Sequence, residues 1–156
     1  MIKQKIIIDS NIVFSAFLNI NSRIGQILIS GYSFYHFYAP NYIRTEIIEH
    51  KEKIKKLADI SENEFLEISE LLFKNIIILN HNLIPASIYL KAKKLCEDID
   101  VDDTPFIALT DYLKGKFWTG DLKLINGLSA KNYKQFVRTE TLFQDFILKV
   151  TKNPNS

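Results

Sequence analysis

Asp9, Glu46, Asp103 and Asp121 are the residues through which this 156-residue chain could do chemistry. Asp9 ends the apolar run Lys5-Ile6-Ile7-Ile8, and Asp121 follows Lys116-Phe117-Trp118-Thr119-Gly120. Glu46 lies near the start of a helical stretch. Asp103 stands just before Thr104-Pro105-Phe106-Ile107-Ala108-Leu109. In an open α/β sheet the carboxyl ends of the strands form the ligand crevice. Packing does not explain acids there. Like charges gathered in one crevice repel unless a cation neutralises them, and oxygen ligands suit hard divalent cations. Zinc is a poor match, because the three histidines and the one cysteine form no ligand set.

The elements that must position these acids alternate along the chain. Lys5 to Asp9 is apolar and β-branched and reads as a strand. Asn11 to Leu18 reads as a short helix, and Ser22 to Ser30 as a second that stops at Gly31. Phe34 to Tyr38 is aromatic and β-prone, with Pro40 as punctuation. Asn41 to Leu57 reads as one long charged helix with a stripe of Ile43, Ile47, Ile48 and Ile54. Ser61-Glu62-Asn63-Glu64 is a capping box opening another helix. Asn75 to Leu79 has the continuous apolar character of a buried parallel strand. Pro85 to Glu97 is helical, and a further helix runs from Asp103 or Thr104 to Gly115. Lys116 to Thr119 is strand four, Asp121 to Leu128 a short helix, Gln135 to Arg138 a last strand, and Thr141 to Val150 the closing helix. Strands separated by helices predict a parallel sheet covered on both faces, a three-layer α/β/α fold. Residues 1–150 form one domain in this reading, and residues 151–156 a polar, frayed tail.

Composition narrows the setting. Apolar residues at 47% and charged ones at 24% are ordinary for a soluble globular domain. A single cysteine, Cys96, permits no internal disulfide and suits a reducing compartment. It falls on a helical stretch, which gives it a packing role. Asp9 interrupts the first apolar run too early for a secretory signal, and no apolar stretch nears the ~20 residues of a membrane span. The expectation is a cytoplasmic protein without a membrane segment. There are 20 lysines and arginines against 18 acids, and four of those acids are assigned to the crevice. The remaining surface is modestly basic and suits a polyanionic partner.

Each acid also has a plainer role open to it. Asp9 or Ser10 can cap the helix that follows. Asn11 can hydrogen-bond a carboxylate or a water, and Ser15, four residues on, shares its helix face. Glu46 can be a solvated helix-face residue beside Glu49, with His50 one turn further along. The run Asp98-Ile99-Asp100-Val101-Asp102-Asp103 can serve the dipole of the next helix. Asp103 is the best placed of that run for a ligand, with Asp102 and Asp100 as alternatives. Thr119-Gly120-Asp121 allows close backbone approach and then presents an acid. Thr119 can hydrogen-bond a phosphate or a water, and Asp121 can also be a helix cap.

Taken in order, these strings resemble the PIN-domain family of metal-dependent ribonucleases. The match is carried by Ile7-Ile8-Asp9-Ser10-Asn11 with Ser15, and by Ala39-Pro40 leading to Glu46. It continues in Asp102-Asp103-Thr104-Pro105-Phe106-Ile107-Ala108-Leu109 and Trp118-Thr119-Gly120-Asp121-Leu122-Lys123-Leu124. The form is similar to a stand-alone, toxin-like prokaryotic branch. The resemblance implies a five-stranded parallel sheet of order 3-2-1-4-5, with Asp9 and Asp121 facing each other across strands one and four. It implies Asp9, Glu46, Asp103 and Asp121 as catalytic metal ligands for Mg²⁺ or Mn²⁺, supported by Asn11, Ser15 and Thr119. The implied reaction is endonucleolytic hydrolysis of RNA leaving 5′-phosphate and 3′-hydroxyl ends. Its implied partners are single-stranded RNA, a small antitoxin protein and a second copy of the chain.

Rim cations that could hold RNA include Lys91, Lys93, Lys94, Lys114, Lys116, Lys123, Arg44 and Arg138. Two other enzyme classes fit less well. A haloacid-dehalogenase-like phosphatase needs an Asp two residues after the first, where Asn11 stands. A receiver-type phosphoacceptor needs an acidic pair at the first strand's end, where Asp9 stands alone. An inert module that binds RNA or protein is the remaining alternative, although all four acidic positions are occupied.

Overall fold

The computed structural model describes residues 2–153. Five parallel strands form one sheet in the order β3-β2-β1-β4-β5. They are β1 (Gln4–Ile8), β2 (Tyr35–Pro40), β3 (Ile76–Leu79), β4 (Lys116–Trp118) and β5 (Phe136–Val137). The expected order and the three-layer α/β/α architecture are both present. β1 lies at the centre, paired with β2 through Ile6 and Phe37 and with β4 through Ile8 and Trp118. Ile6, Ile7 and Ile8 are wholly buried, so helices cover the strand on both faces.

Nine α-helices occur among the described residues: α1 (Ser10–Leu18), α2 (Arg23–Ser30), α3 (Tyr42–Glu49), α4 (Lys51–Ala58), α5 (Glu62–Phe73), α6 (Ala86–Cys96), α7 (Thr104–Leu113), α8 (Leu122–Ser129) and α9 (Thr139–Lys152). α7 packs across β1, β2 and β4 with α6 against it, whereas α1, α2, α5 and α9 form the opposite layer. α7 is buried from Thr104 to Thr110, as befits a helix crossing the middle of a sheet. Gly115 makes the close start of β4 possible. A Cβ there would stand 2.6 Å from the Lys5 carbonyl oxygen.

Three local expectations differ from the structure. The long helix over Asn41 to Leu57 is two helices, α3 and α4, broken at His50 (φ −98°, ψ 7°). No proline or glycine stands there. Beyond the bend α4 packs on α1 with Ile54 fully buried, which favours the broken arrangement. His50 itself is exposed and meets the Phe14 ring edge-on. The closing helix is longer at both ends than Thr141 to Val150. Thr151 and Lys152 are helical, with the Thr151 hydroxyl donating to the Ile147 carbonyl at 2.8 Å. Residues 154–156 of the expected tail lie outside the described residues. Single 3-10 turns, unforeseen from the sequence, stand at Gly31–Ser33, His81–Leu83 and Val101–Asp103.

The capping box at Ser61 and Glu64 forms in full. Cys96 is wholly buried in the core, and burial pushes its thiol up to about 12. Among the described residues no single helix is long and apolar enough to cross a membrane.

Candidate active site

Parallel register delivers the first pair of residues. β1 and β4 are aligned with Ile8 beside Trp118, so one step further puts Asp9 beside Thr119. The Asp9 amide donates to the Trp118 carbonyl at 3.2 Å. The Thr119 hydroxyl, wholly buried, donates to Asp9 Oδ2 at 2.6 Å. The other oxygen, Oδ1, accepts from the Asn11 amide at 3.3 Å, so Asp9 also caps α1. Burial raises the Asp9 carboxyl above its ordinary range, the Thr119 and Asn11 hydrogen bonds oppose the rise, and the charge of Asp121 adds to it.

Thr119 makes a second link. Its Oγ1 accepts from the Asp121 amide at 3.1 Å, which ties the turn after β4 to the carboxylate at the end of β1. Asp121 then caps α8, accepting from the Leu124 amide at 3.2 Å. Its capping and its place in the crevice coexist.

Glu46 arrives from the other side of β1. β2 ends at Pro40, the backbone turns at Asn41, and α3 carries Glu46 back over the end of β1. There Ser10 Oγ donates to Glu46 Oε1 at 2.8 Å. Burial raises the Glu46 carboxyl first. Ser10 opposes that rise, while Asp9 and Asp102 reinforce it. Ser10 was seen in the sequence only as a helix cap. Its partnership with Glu46 spans 36 residues, and no local pattern announces it. Asn11 takes part through its backbone, its side chain being exposed. Among the described residues the Ser15 hydroxyl makes no hydrogen bond to this group.

The acidic run before α7 is divided among separate tasks. Asp98 pairs with Lys131. Asp100 accepts from the Asp102 amide at 3.0 Å and so caps the turn Val101–Asp103. Asp102 is exposed. Asp103 occupies the N-cap position of α7 but makes no side-chain capping bond; the Thr104 hydroxyl bonds back to the Val101 carbonyl at 2.6 Å instead. Its carboxyl is pushed up to about 8, first by burial and then by the charges of Asp9, Asp100, Asp121 and Glu46. Four acids from four distant parts of the chain therefore feel one another.

Among the described residues no lysine, arginine or histidine forms an ion pair with Asp9, Glu46, Asp103 or Asp121. Among the described residues the repulsion has no cation to offset it. Nor do three His, Cys, Asp or Glu side chains among the described residues converge as a ready-made metal cage. An open, partly buried set of carboxylates fits a small hard ion that keeps several waters. All the donors are oxygens, which suits Mg²⁺ or Mn²⁺ rather than a thiolate- or imidazole-seeking metal.

No curated protein matches the sequence. The pattern that defines the PIN domain, however, matches residues 7–144, from β1 into α9 and across every residue of the acid cluster. With the sheet order and the four acids at its crevice, this chain belongs to the PIN-domain family.

Proposed function

We propose that this protein is a metal-dependent endoribonuclease that hydrolyses RNA phosphodiester bonds with Mg²⁺ or Mn²⁺. PIN domains are generally nucleases that use divalent metal ions. Asp9, Glu46, Asp103 and Asp121 repel one another, and among the described residues no cation pairs with any of them; this juxtaposition carries the proposal. Such a cluster is costly in a folded protein unless a cation or a reaction uses it.

The chain's own groups have distinct parts in this proposal. Asp9 is fixed in direction by Thr119 and by the Asn11 amide. Glu46 is aimed by Ser10. Asp121 is locked by the turn that caps α8. Asp103, with no capping duty, keeps its oxygens free for a ligand. A divalent ion held by these four would activate a water at neutral pH and stabilise charge on the scissile phosphate. Cleavage then leaves 5′-phosphate and 3′-hydroxyl ends.

The proposal extends to the protein's setting, a cytoplasmic toxin held in check by a small antitoxin. A groove of about 360 Å³ supports this reading, lined by Arg44, Ile47, Ile48, Phe65 and Phe73 between α3 and α5. It lies on α3, the helix that carries Glu46. A homodimer is part of the same proposal, favoured by exposed Ile147, Leu148 and Val150 on α9.

The test is incubation of purified protein with a mixed RNA pool and Mn²⁺, beside Asp9→Asn and beside an EDTA-treated sample. Cleavage by the wild type alone, stopped by EDTA and restored by Mn²⁺ or Mg²⁺, supports the proposal. Cleavage that ignores chelation overturns the metal mechanism. RNA bound but left intact by the wild type points to an inert binding module.

A further inference from the structure

Two joined clefts open beside the acid cluster. The inner one, about 240 Å³, is lined by Tyr42, Val101, Asp102 and Pro105 together with His81 and Tyr89. The outer one, about 510 Å³, runs on past His81 and Tyr89 along α6. That size is within the range of small-ligand sites. The rings of His81 and Tyr89 stand 6.1 Å apart between centroids, inclined by 35°, and form the shared wall.

The fold builds this wall deliberately. β3 ends and the turn His81–Leu83 carries the chain back toward the end of β2. There His81 Nδ1 lies 2.8 Å from Asn41 Oδ1, and the His81 amide donates to the same oxygen at 3.4 Å. Asn41 is the residue that turns the chain into α3, the helix of Glu46. On α6, Ala86, Tyr89 and Leu90 all line the outer cleft and share one helix face. Lys93, four residues after Tyr89, continues that face; it is exposed and, among the described residues, in no ion pair. At the other end, the inner cleft is lined by Tyr42, on the helix of Glu46, and by Asp102, next to Asp103. One strip therefore leads from the carboxylates, past Tyr42, to two aromatic rings and then to a cation.

Aromatic faces followed by a lysine suit an unstacked nucleobase followed by its backbone phosphate. An apolar peptide helix would want a continuous greasy groove, whereas this one holds a phenol, an imidazole and a carboxylate. A duplex keeps its base faces hidden. We propose that the cleft walled by His81, Tyr89 and Tyr42 seats an unpaired base next to the cleaved phosphate, with Lys93 meeting the neighbouring phosphate. This rests on the ribonuclease reading and deepens it: Tyr89 is the residue on which that base stacks.

The experiment is binding of a fluorescein-labelled single-stranded oligoadenylate, followed by anisotropy in Mn²⁺. The parent for all variants is Asp121→Asn, chosen so that the strand stays intact. Tyr89→Ala is expected to weaken binding about tenfold, the usual size of one lost base–aromatic stack. Tyr89→Phe, which keeps the ring, is expected to bind as the parent does. Lys93→Ala, at an exposed site with little bearing on folding, is expected to reduce the slope of log affinity against log salt by about 0.7. The same strand annealed to oligouridylate is expected to bind the parent more weakly. Parent-like binding by Tyr89→Ala, or equal loss in Tyr89→Ala and Tyr89→Phe, overturns the stacking site and leaves the nuclease reading standing. Failure of the parent to bind RNA in any form overturns the reading beneath it.

Discussion

Thr119 and Asp9 are joined by a 2.6 Å hydrogen bond that crosses from β4 to β1 just where the chain leaves both strands. The hydroxyl donates, the carboxylate accepts, and both residues are almost wholly buried. The same oxygen of Thr119 accepts the Asp121 amide. One small side chain thus orients two acids that lie 112 positions apart in the sequence. Removing it leaves a buried carboxylate short of a partner, which is costly. Thr119→Val should lower cleavage about 10–100-fold, the usual effect of losing a group that orients a ligand. Thr119→Ser should retain most of the activity. Initial rates across a Mn²⁺ titration read both outcomes. Equal rates for the valine variant and the wild type would remove Thr119 from the site.

Asp9→Asn and Asp121→Asn keep the shape and a carbonyl oxygen that can still accept the Thr119 and Leu124 donors. Both should fold and melt much as the wild type does. Each should lose cleavage by more than the roughly 100-fold expected for an orienting group. Full activity in either variant would take that residue out of the ligand set.

Asp103 ties the site to stability. Burial and the neighbouring acids push its carboxyl up to about 8 in the folded protein, against about 3.9 in an unfolded chain. Between those two values the native state holds a proton that the unfolded chain has released. The stability slope is then negative, so metal-free protein loses stability as pH rises through this window. It should melt higher near pH ~5 than near pH ~8. Asp103→Asn should flatten this dependence and raise the melting temperature of metal-free protein at the alkaline end, while abolishing cleavage. Mn²⁺ should raise the melting temperature of the wild type there and have a smaller effect on the variant. Thermal melts with and without EDTA decide it. A wild type that is most stable at the alkaline end without metal would contradict the account.

At the opposite end of the sheet, Tyr35 Oη donates to Asp145 Oδ2 at 2.5 Å and fastens β2 to α9. Against the effect of burial, Lys149 and this hydroxyl hold the Asp145 carboxyl below its usual range. The Asp145 side chain is 43% exposed, so solvent screens the bond. Tyr35→Phe should cost about 1 kcal/mol in urea unfolding. RNA cleavage should be unchanged, because β2 runs from Tyr35 away toward the site at its Pro40 end.

The alternation of apolar strands and capped helices was legible residue by residue. Ile6 to Ile8, the capping box at Ser61 and the Thr-Gly-Asp turn after Trp118 are all local patterns. Their physics acts within a few residues, and so they can be read from a linear string. The helix break at His50 was not legible. It arises from burying Ile54 against α1, an interaction with a distant element.

The same division runs through the site. From the chain alone, strand and helix signals put Asp9 and Asp121 after strands and an acid of the Asp98 to Asp103 run before a helix, while Glu46 stood out only through the ordered set of motifs. How these acids are held follows from the folded arrangement. Ser10 reaches Glu46 across 36 residues, and Thr119 reaches Asp9 across 110. Asp98, Asp100 and Asp103 look alike in sequence, yet one pairs with Lys131, one caps a turn and one is left uncapped among the other acids. Hydrogen bonds and charge repulsion act through space over a few ångströms, and the chain distance between the partners carries no trace of them.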